Sequence, residues 1–369
     1  MLLSSLCYCS LTAAQQPVRR AERRNGGTAE RKKINQCNQR NQRNQLYLSH
    51  IVNTLQERIL VTGATGQIGT VLTEALRAEY GQDNVLATDI KKPDHHTGMF
   101  EILDVLDTQR TLEIVDQYKI TTIFHLAAIL SASGEANPQR TWNINMNGLL
   151  SLLELGREKG LRKVFYPSTI AVFGKTTPRI MTPQHTVMTP STVYGISKAA
   201  GELWCEYYHQ RFGLDVRSVR YPGIISYQSM PGGGTTDYAV DIFHQAILHG
   251  EYTCFLEADT RLPMMYMDDA IRGTLELMRA PAEQIKIRTS YNLAAMSFTP
   301  AELAAAIKKH IPDFRISYAP DHRQAIAASW TESIDDQDAR RDWGWKHQYD
   351  LEAMTLEMLT QLKKKYNHV

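Results

Sequence analysis

The chain has little cysteine. Five stand among 369 residues, at Cys7, Cys9, Cys37, Cys205 and Cys254, none in a CxxC pair. That spacing offers neither a disulfide framework nor a structural zinc site, and it suits a reducing compartment. Also lacking is any run of about 18 apolar residues, the length that crosses a bilayer. An excess of one charge is missing as well. With 41 basic and 39 acidic side chains the net charge is +2, without the basic surplus that a phosphate-tracking surface brings. Membrane spanning and nucleic-acid binding are excluded on these grounds, and 43% hydrophobic with 22% charged residues describes an ordinary globular chain.

Acids are scarce in one region above all. From Met1 to about Leu55 only Glu22 and Glu30 occur, while Arg19, Arg20, Arg23, Arg24, Arg31, Lys32, Lys33, Arg40 and Arg43 accumulate. The Asn-Gln steps from Asn35-Gln36 to Asn44-Gln45 carry no apolar periodicity, so residues 1–55 are expected to be disordered. An apolar opening, Met1 to Ala14, followed by arginines has the composition of an organelle transit peptide, which points to the mitochondrial matrix. A secretory signal would place its basic residues first. An extension without an address stays open.

What remains is long enough for a full core, and its alternating pattern predicts an α/β fold: a doubly wound, Rossmann-like parallel sheet over 56–225, with a smaller substrate lobe over 226–369 interleaved with it. Strands are expected at Arg58–Thr62, Asn84–Ile90, Phe100–Leu103, Thr121–Ala127 and Lys163–Pro167. Helices are expected at Gln67–Tyr80, Thr108–Tyr118 and Pro138–Lys159, and later near Tyr238–His249, Asp268–Arg279, Thr299–His310 and Leu351–Lys364. The apolar run Arg261 to Met267 reads as core or as pocket wall.

Between the first strand and first helix lies Gly63-Ala64-Thr65-Gly66-Gln67-Ile68-Gly69. Gly63 permits a tight turn, Gly66 lets backbone approach a pyrophosphate at the helix N-terminus, and Gly69 lets helix and strand pack closely. About 20 residues on, Asp89 ends the second strand, where an acid binds a ribose 2′-hydroxyl and repels a 2′-phosphate, favouring NAD over NADP. Lys91 and Lys92 just beyond it either reach a phosphate or form a solvated turn.

Tyr194 and Lys198 are four residues apart, on one face of a helix-forming run. A nearby cation favours the phenolate, so the Tyr194 pKa is expected to fall toward the working pH and make it a general base. A surface Tyr and Lys on an amphipathic helix is the plainer alternative. Ser168 and Thr169 close the fifth strand at the sheet's carboxyl edge, where they hydrogen-bond a reacting alcohol or cap backbone groups.

Taken in order, Thr62 to Gly69, His125-Leu126-Ala127-Ala128, Asn145-Met146-Asn147-Gly148, Ser168-Thr169, Tyr194 with Lys198, and Arg220-Tyr221-Pro222-Gly223 resemble the extended short-chain dehydrogenase/reductases over essentially everything from Ile59 onward. Ala128 to Ala132, Gly232 to Ala239, Ser329-Trp330 and Asp342 to Trp345 are most similar to the branch that oxidises L-threonine with NAD and without a metal. For cofactor binding the resemblance implies Gly63, Gly66, Gln67, Ile68 and Gly69 at the pyrophosphate, Asp89 at the adenosine ribose, Asp104 and Val105 at the adenine, and Leu126, Ala127 and Ala128 along the nucleotide bridge. Asn145, Tyr194, Lys198, Tyr221, Gly223 and Ile224 complete that set. It further implies Tyr194, Lys198, Thr169 and Ser168 as the catalytic group, and Ser131, Ser168, Thr169, Tyr194, Gly234, Thr236 and Trp330 around the amino acid.

The implied reaction takes L-threonine to L-2-amino-3-oxobutanoate. A CoA-dependent ligase acting on that product is the implied pathway neighbour, and a homodimer through the helices near Pro138–Lys159 and Tyr194 the implied assembly. Two alternatives stay open. A nucleotide-sugar epimerase shares the glycine turn and the Tyr/Lys pair, and a dinucleotide-sensing protein without catalysis would be expected to lose that pair. A dehydratase normally places acids after the strand-five hydroxyl, where Ile170 and Ala171 stand here.

Overall fold

The computed structural model describes residues 57–93, 96–230, 232 and 234–367; the expected leader lies outside them. Seven strands form one parallel sheet: β1 (Ile59–Thr62), β2 (Val85–Asp89), β3 (Phe100–Ile102), β4 (Thr122–His125), β5 (Lys163–Thr169), β6 (Val216–Tyr221) and a two-residue strand at Tyr291–Asn292. Their order, Tyr291–Asn292 then β6-β5-β4-β1-β2-β3, reverses direction at β1, the switch point where wound sheets bind ligands. The sheet is Rossmann-like, and β6, which the pattern did not single out, sits beside β5 in register from Val164↔Val216 to Thr169↔Tyr221.

β1 is short, apolar and completely buried because both faces of the sheet are covered. Alternate residues serve opposite layers. Ile59 and Val61 pack with Leu72 and Leu76 of α1 (Gln67–Tyr80), whereas Leu60 packs with Ile114 and Val115 of α2 (Thr108–Tyr118). The expected helix over Pro138–Lys159 is continuous in outline but not in type. After α3 (Ser131–Gly134) come α4 (Pro138–Trp142), a π-helical turn at Asn143–Asn147 and α5 (Gly148–Lys159). Then comes α6 (Val193–Phe212), 20 residues long, capped by the Thr192 hydroxyl accepting from the Gly195 N–H.

Beyond Tyr221 the chain leaves the large sheet. β7 (Gly223–Ile225) pairs with β9 (Leu262–Tyr266), which pairs antiparallel with Met296–Phe298, while β8 (Glu251–Cys254) pairs with Arg315–Tyr318. These strands pack with α7 (Tyr238–Leu248) and the C-terminal helix Leu351–Asn367 around Phe243, Met264, Tyr266, Phe298 and Met358. β9 is buried at every residue, so the Leu262–Tyr266 run is core. Tyr291–Asn292 then returns to the large sheet, so the later part of the chain is threaded into the earlier one.

Candidate active site

The glycine turn is shaped by contacts that no side chain could enter. Gly63 has φ +69°, and a Cβ there would stand 2.6 Å from the Ala127 backbone nitrogen. At Gly69 a Cβ would meet the Gly63 carbonyl oxygen at 2.2 Å, so α1 lies directly against the turn. Gly66 is different: its nearest neighbour would be 3.4 Å away. No side chain caps α1, and no acid stands in its first turn. Its N–H groups therefore face the cleft with an anion's place open to them, which fits a pyrophosphate. Asp89 accepts from the Thr65 N–H at 3.0 Å, the Thr65 hydroxyl at 2.6 Å and the Ile90 N–H at 2.8 Å.

Across the cleft, α6 approaches β5 and the turn that follows it closely because it carries glycine at two contacts. A Cβ at Gly195 would lie 2.1 Å from the Ala171 carbonyl oxygen, and one at Gly201 2.4 Å from the Tyr166 hydroxyl. Lys198 is drawn inward, its Nζ donating to the Pro167 carbonyl at 2.7 Å and standing 4.3 Å above the Tyr166 ring and 5.9 Å from the Tyr194 ring. Burial brings the Lys198 ammonium down to about 7, against the pull of Cys205 and Glu202. The expected fall in the Tyr194 pKa is not found. Burial pushes this phenol up to about 12, opposed by a hydrogen bond with Thr169. Desolvation outweighs a cation that is itself desolvated and turned toward a carbonyl.

A cleft of about 250 Å³ joins the two halves. Gly63, Gly66, Gln67, Ile68 and Gly69 line one end with Leu126 and Ala128; Tyr221, Gly223 and Ile224 line it as well. Ser168, Thr169, Tyr194 and Lys198 meet Ser131, Gly234, Thr236 and Trp330 at the other end. The Trp330 indole N–H is buried there without a protein partner. Sequence reasoning missed Leu130, Pro167, Ile170, Pro222, Thr235 and Asp237, which also line it. Most adjoin residues already singled out, and Thr235, whose hydroxyl lies 3.4 Å from that of Ser131, stands within the Gly232 to Ala239 stretch.

Five expected residues stand outside the lining. Asp89 is on the turn as described, Ala127 packs against Gly63, and Asp104 is exposed, accepting from the Leu106 N–H. Val105 is buried against Gly148. Asn145, in the π turn, binds both the N–H and the carbonyl of Ile129 and donates to Ser197 at 3.1 Å. It braces the segment after β4 against α6.

The model of the NAD dependent epimerase/dehydratase family matches residues 59–294. The chain belongs to this family. It is 52% identical over 308 residues to the mitochondrial L-threonine 3-dehydrogenase of Bos taurus, covering 82% of each chain. The holo form of a GalE-like L-threonine dehydrogenase from Cupriavidus necator is 56% identical, with 83% of this chain and 99% of that one covered and a TM-score of 0.82. A monomeric L-threonine 3-dehydrogenase from a metagenome is 49% identical over 83% of this chain and 99% of that one, again at 0.82. The family's cofactor, NAD, is this chain's cofactor. The uncapped α1 terminus and the space beside Gly66 fit such a group.

Proposed function

We propose that this family member oxidises L-threonine at C3, giving L-2-amino-3-oxobutanoate. The observation that carries the reading is one cleft with a phosphate-binding turn at one end and Thr169, Tyr194 and Ser131 at the other. The relatives' names supply the substrate class.

When bound, NAD would supply the hydride acceptor for C3; Gly63, Gly66, Gln67 and Ile68 would hold its phosphates, and Asp89 its ribose. Tyr194 takes the hydroxyl proton of threonine, and Thr169, hydrogen-bonded to Tyr194, keeps that hydroxyl aligned. Lys198 adds positive charge behind the phenol when protonated. Buried Trp330 and the apolar walls limit water and leave room for a small side chain.

The full chain incubated with L-threonine and NAD is expected to reduce the nicotinamide, and Tyr194→Phe to slow this by roughly 10²–10⁴. Silence with threonine beside tight binding of UDP-glucose would replace this reading with epimerisation, which the names of the relatives above do not favour.

The same reading places the chain in the mitochondrial matrix, supported by the basic leader and the bovine relative's name. Its β-keto acid product is the substrate for a CoA-dependent ligase. It also assembles the chain as a homodimer, for which exposed Trp142, Leu203, Trp204 and Tyr207 on α4 and α6 provide an apolar face. Light scattering at the mass of one chain would refute the dimer.

A further inference from the structure

Beneath the cleft lies an ion pair without access to water. Glu202 of α6 is fully buried and Arg220 of β6 nearly so; Arg220 Nε and Nη2 donate to the two carboxylate oxygens at 2.9 and 2.7 Å. The remaining donors of Arg220 are engaged too. Its Nη1 reaches the Gln184 carbonyl and Asn292 Oδ1, both at 3.0 Å, and Nη2 points also to Met188 Sδ at 3.6 Å. The guanidinium has no donor left for a ligand, so it is not a clamp for a substrate carboxylate.

The pair reaches the cleft through Ser168. Ser168 lines the cleft, and its hydroxyl is 2.5 Å from Glu202 Oε1. The contact runs from the Ser168 hydroxyl to a carboxylate oxygen that already accepts from Arg220, so the hydrogen in it belongs to Ser168. The serine is thereby committed as a donor inward and presents only lone pairs to the cleft.

A 3-hydroxy amino acid offers three polar groups. Its carboxylate only accepts and cannot face an acceptor, and its hydroxyl proton is directed to Tyr194 in the reaction proposed above. Its ammonium only donates. We propose that Glu202 and Arg220 are a positioning pair that orients Ser168 as an acceptor, and that the Ser168 oxygen receives the substrate ammonium. This rests on the threonine reading and explains how a hydroxyl, able in principle to act either way, discriminates an amino acid from the corresponding hydroxy acid. Among the cleft-lining residues one carboxylate competes for the role: Asp237, whose Oδ2 accepts from the Gly234 N–H at 2.7 Å.

The test uses the full chain with NAD and two inhibitors, L-2-aminobutyrate and butyrate, which share a carbon skeleton and differ only in the ammonium. The readout is the ratio of their inhibition constants against L-threonine. Ser168→Ala removes the acceptor. Glu202→Gln keeps the volume but reverses the polarity, because the amide oxygen must face Arg220 and its NH₂ then donates to Ser168. Each variant is expected to cut the preference for the amine about tenfold or more, the scale of a hydrogen bond to a charged group, while NAD affinity stays within about twofold.

An unchanged ratio in both variants overturns the proposal. So does a preference lost only in Asp237→Asn, or equal weakening of both inhibitors and NAD, which would mark the pair as merely structural. If Glu202→Gln does not fold, Ser168→Ala decides alone. A wild-type chain that ignores L-threonine counts against the reaction instead, and calorimetry with the same two compounds then decides the ammonium question independently.

Discussion

Asp89 fastens Thr65 twice, accepting its backbone N–H and its hydroxyl at 3.0 and 2.6 Å. The acid that ends the second strand is thus tied to the glycine turn that follows the first.

That placement predicts cofactor choice. Asp89→Ala should lower kcat/KM for NAD by roughly tenfold and raise the relative use of NADP, since a ribose contact and a repulsive charge disappear together. Steady-state rates with both cofactors check it; unchanged discrimination would remove Asp89 from the cofactor site.

Tyr194 makes a prediction about pH. Its phenol, pushed up to about 12 by burial, is protonated at neutrality, so the base form grows about tenfold per pH unit below that value. The free enzyme's kcat/KM for threonine should climb with pH from 7 upward for as long as the substrate keeps its ammonium. Tyr194→Phe should lose roughly 10²–10⁴ in rate together with that climb, while its melting temperature stays near the parent's.

Gly69→Ala tests packing without a conformational penalty, because the φ of Gly69 is not in the left-handed region. The new methyl would meet Gly63 oxygen at 2.2 Å and Ala64 Cα at 2.8 Å, both backbone atoms that cannot swing aside. Urea denaturation should show a loss of roughly 1–3 kcal/mol or more, and NAD titration a weaker site.

His125 predicts acid sensitivity. Buried, with Nδ1 on the Thr62 hydroxyl at 2.8 Å and Nε2 unpartnered, it is held neutral down to about 3. The unfolded chain takes up that proton near 6.5, so stability from this group is complete above about 6.5 and lost as pH falls toward 3. At pH 5 the loss is about 2 kcal/mol. Denaturation at pH 7.5 and 5 should show a smaller acid loss in His125→Phe than in the parent.

Much of the large sheet was legible because its signals are local. Helices Gln67–Tyr80 and Thr108–Tyr118 lie where periodicity placed them, since each buries one continuous stripe. β6 was harder: Arg217, Ser218 and Arg220 interrupt its apolar run, and their burial is made tolerable by Asp215, Glu202 and Ser290, residues scattered through the chain. The π turn at Asn143–Asn147 was not legible either, because it satisfies Ile129 and Ser197 across space rather than any neighbour in sequence.

The sequence by itself determined the wound sheet, the glycine turn and the chemical types at the cleft, because strand period, helix period and turn chemistry act over a few residues. Tertiary structure decided what those types can do. Whether Tyr194 is eased or hindered in losing its proton depends on desolvation, and whether Ser168 gives or receives a hydrogen bond depends on Glu202 and Arg220, 34 and 52 residues away. Burial and the assignment of shared protons belong to the assembled fold, since each is set by groups that only folding brings together.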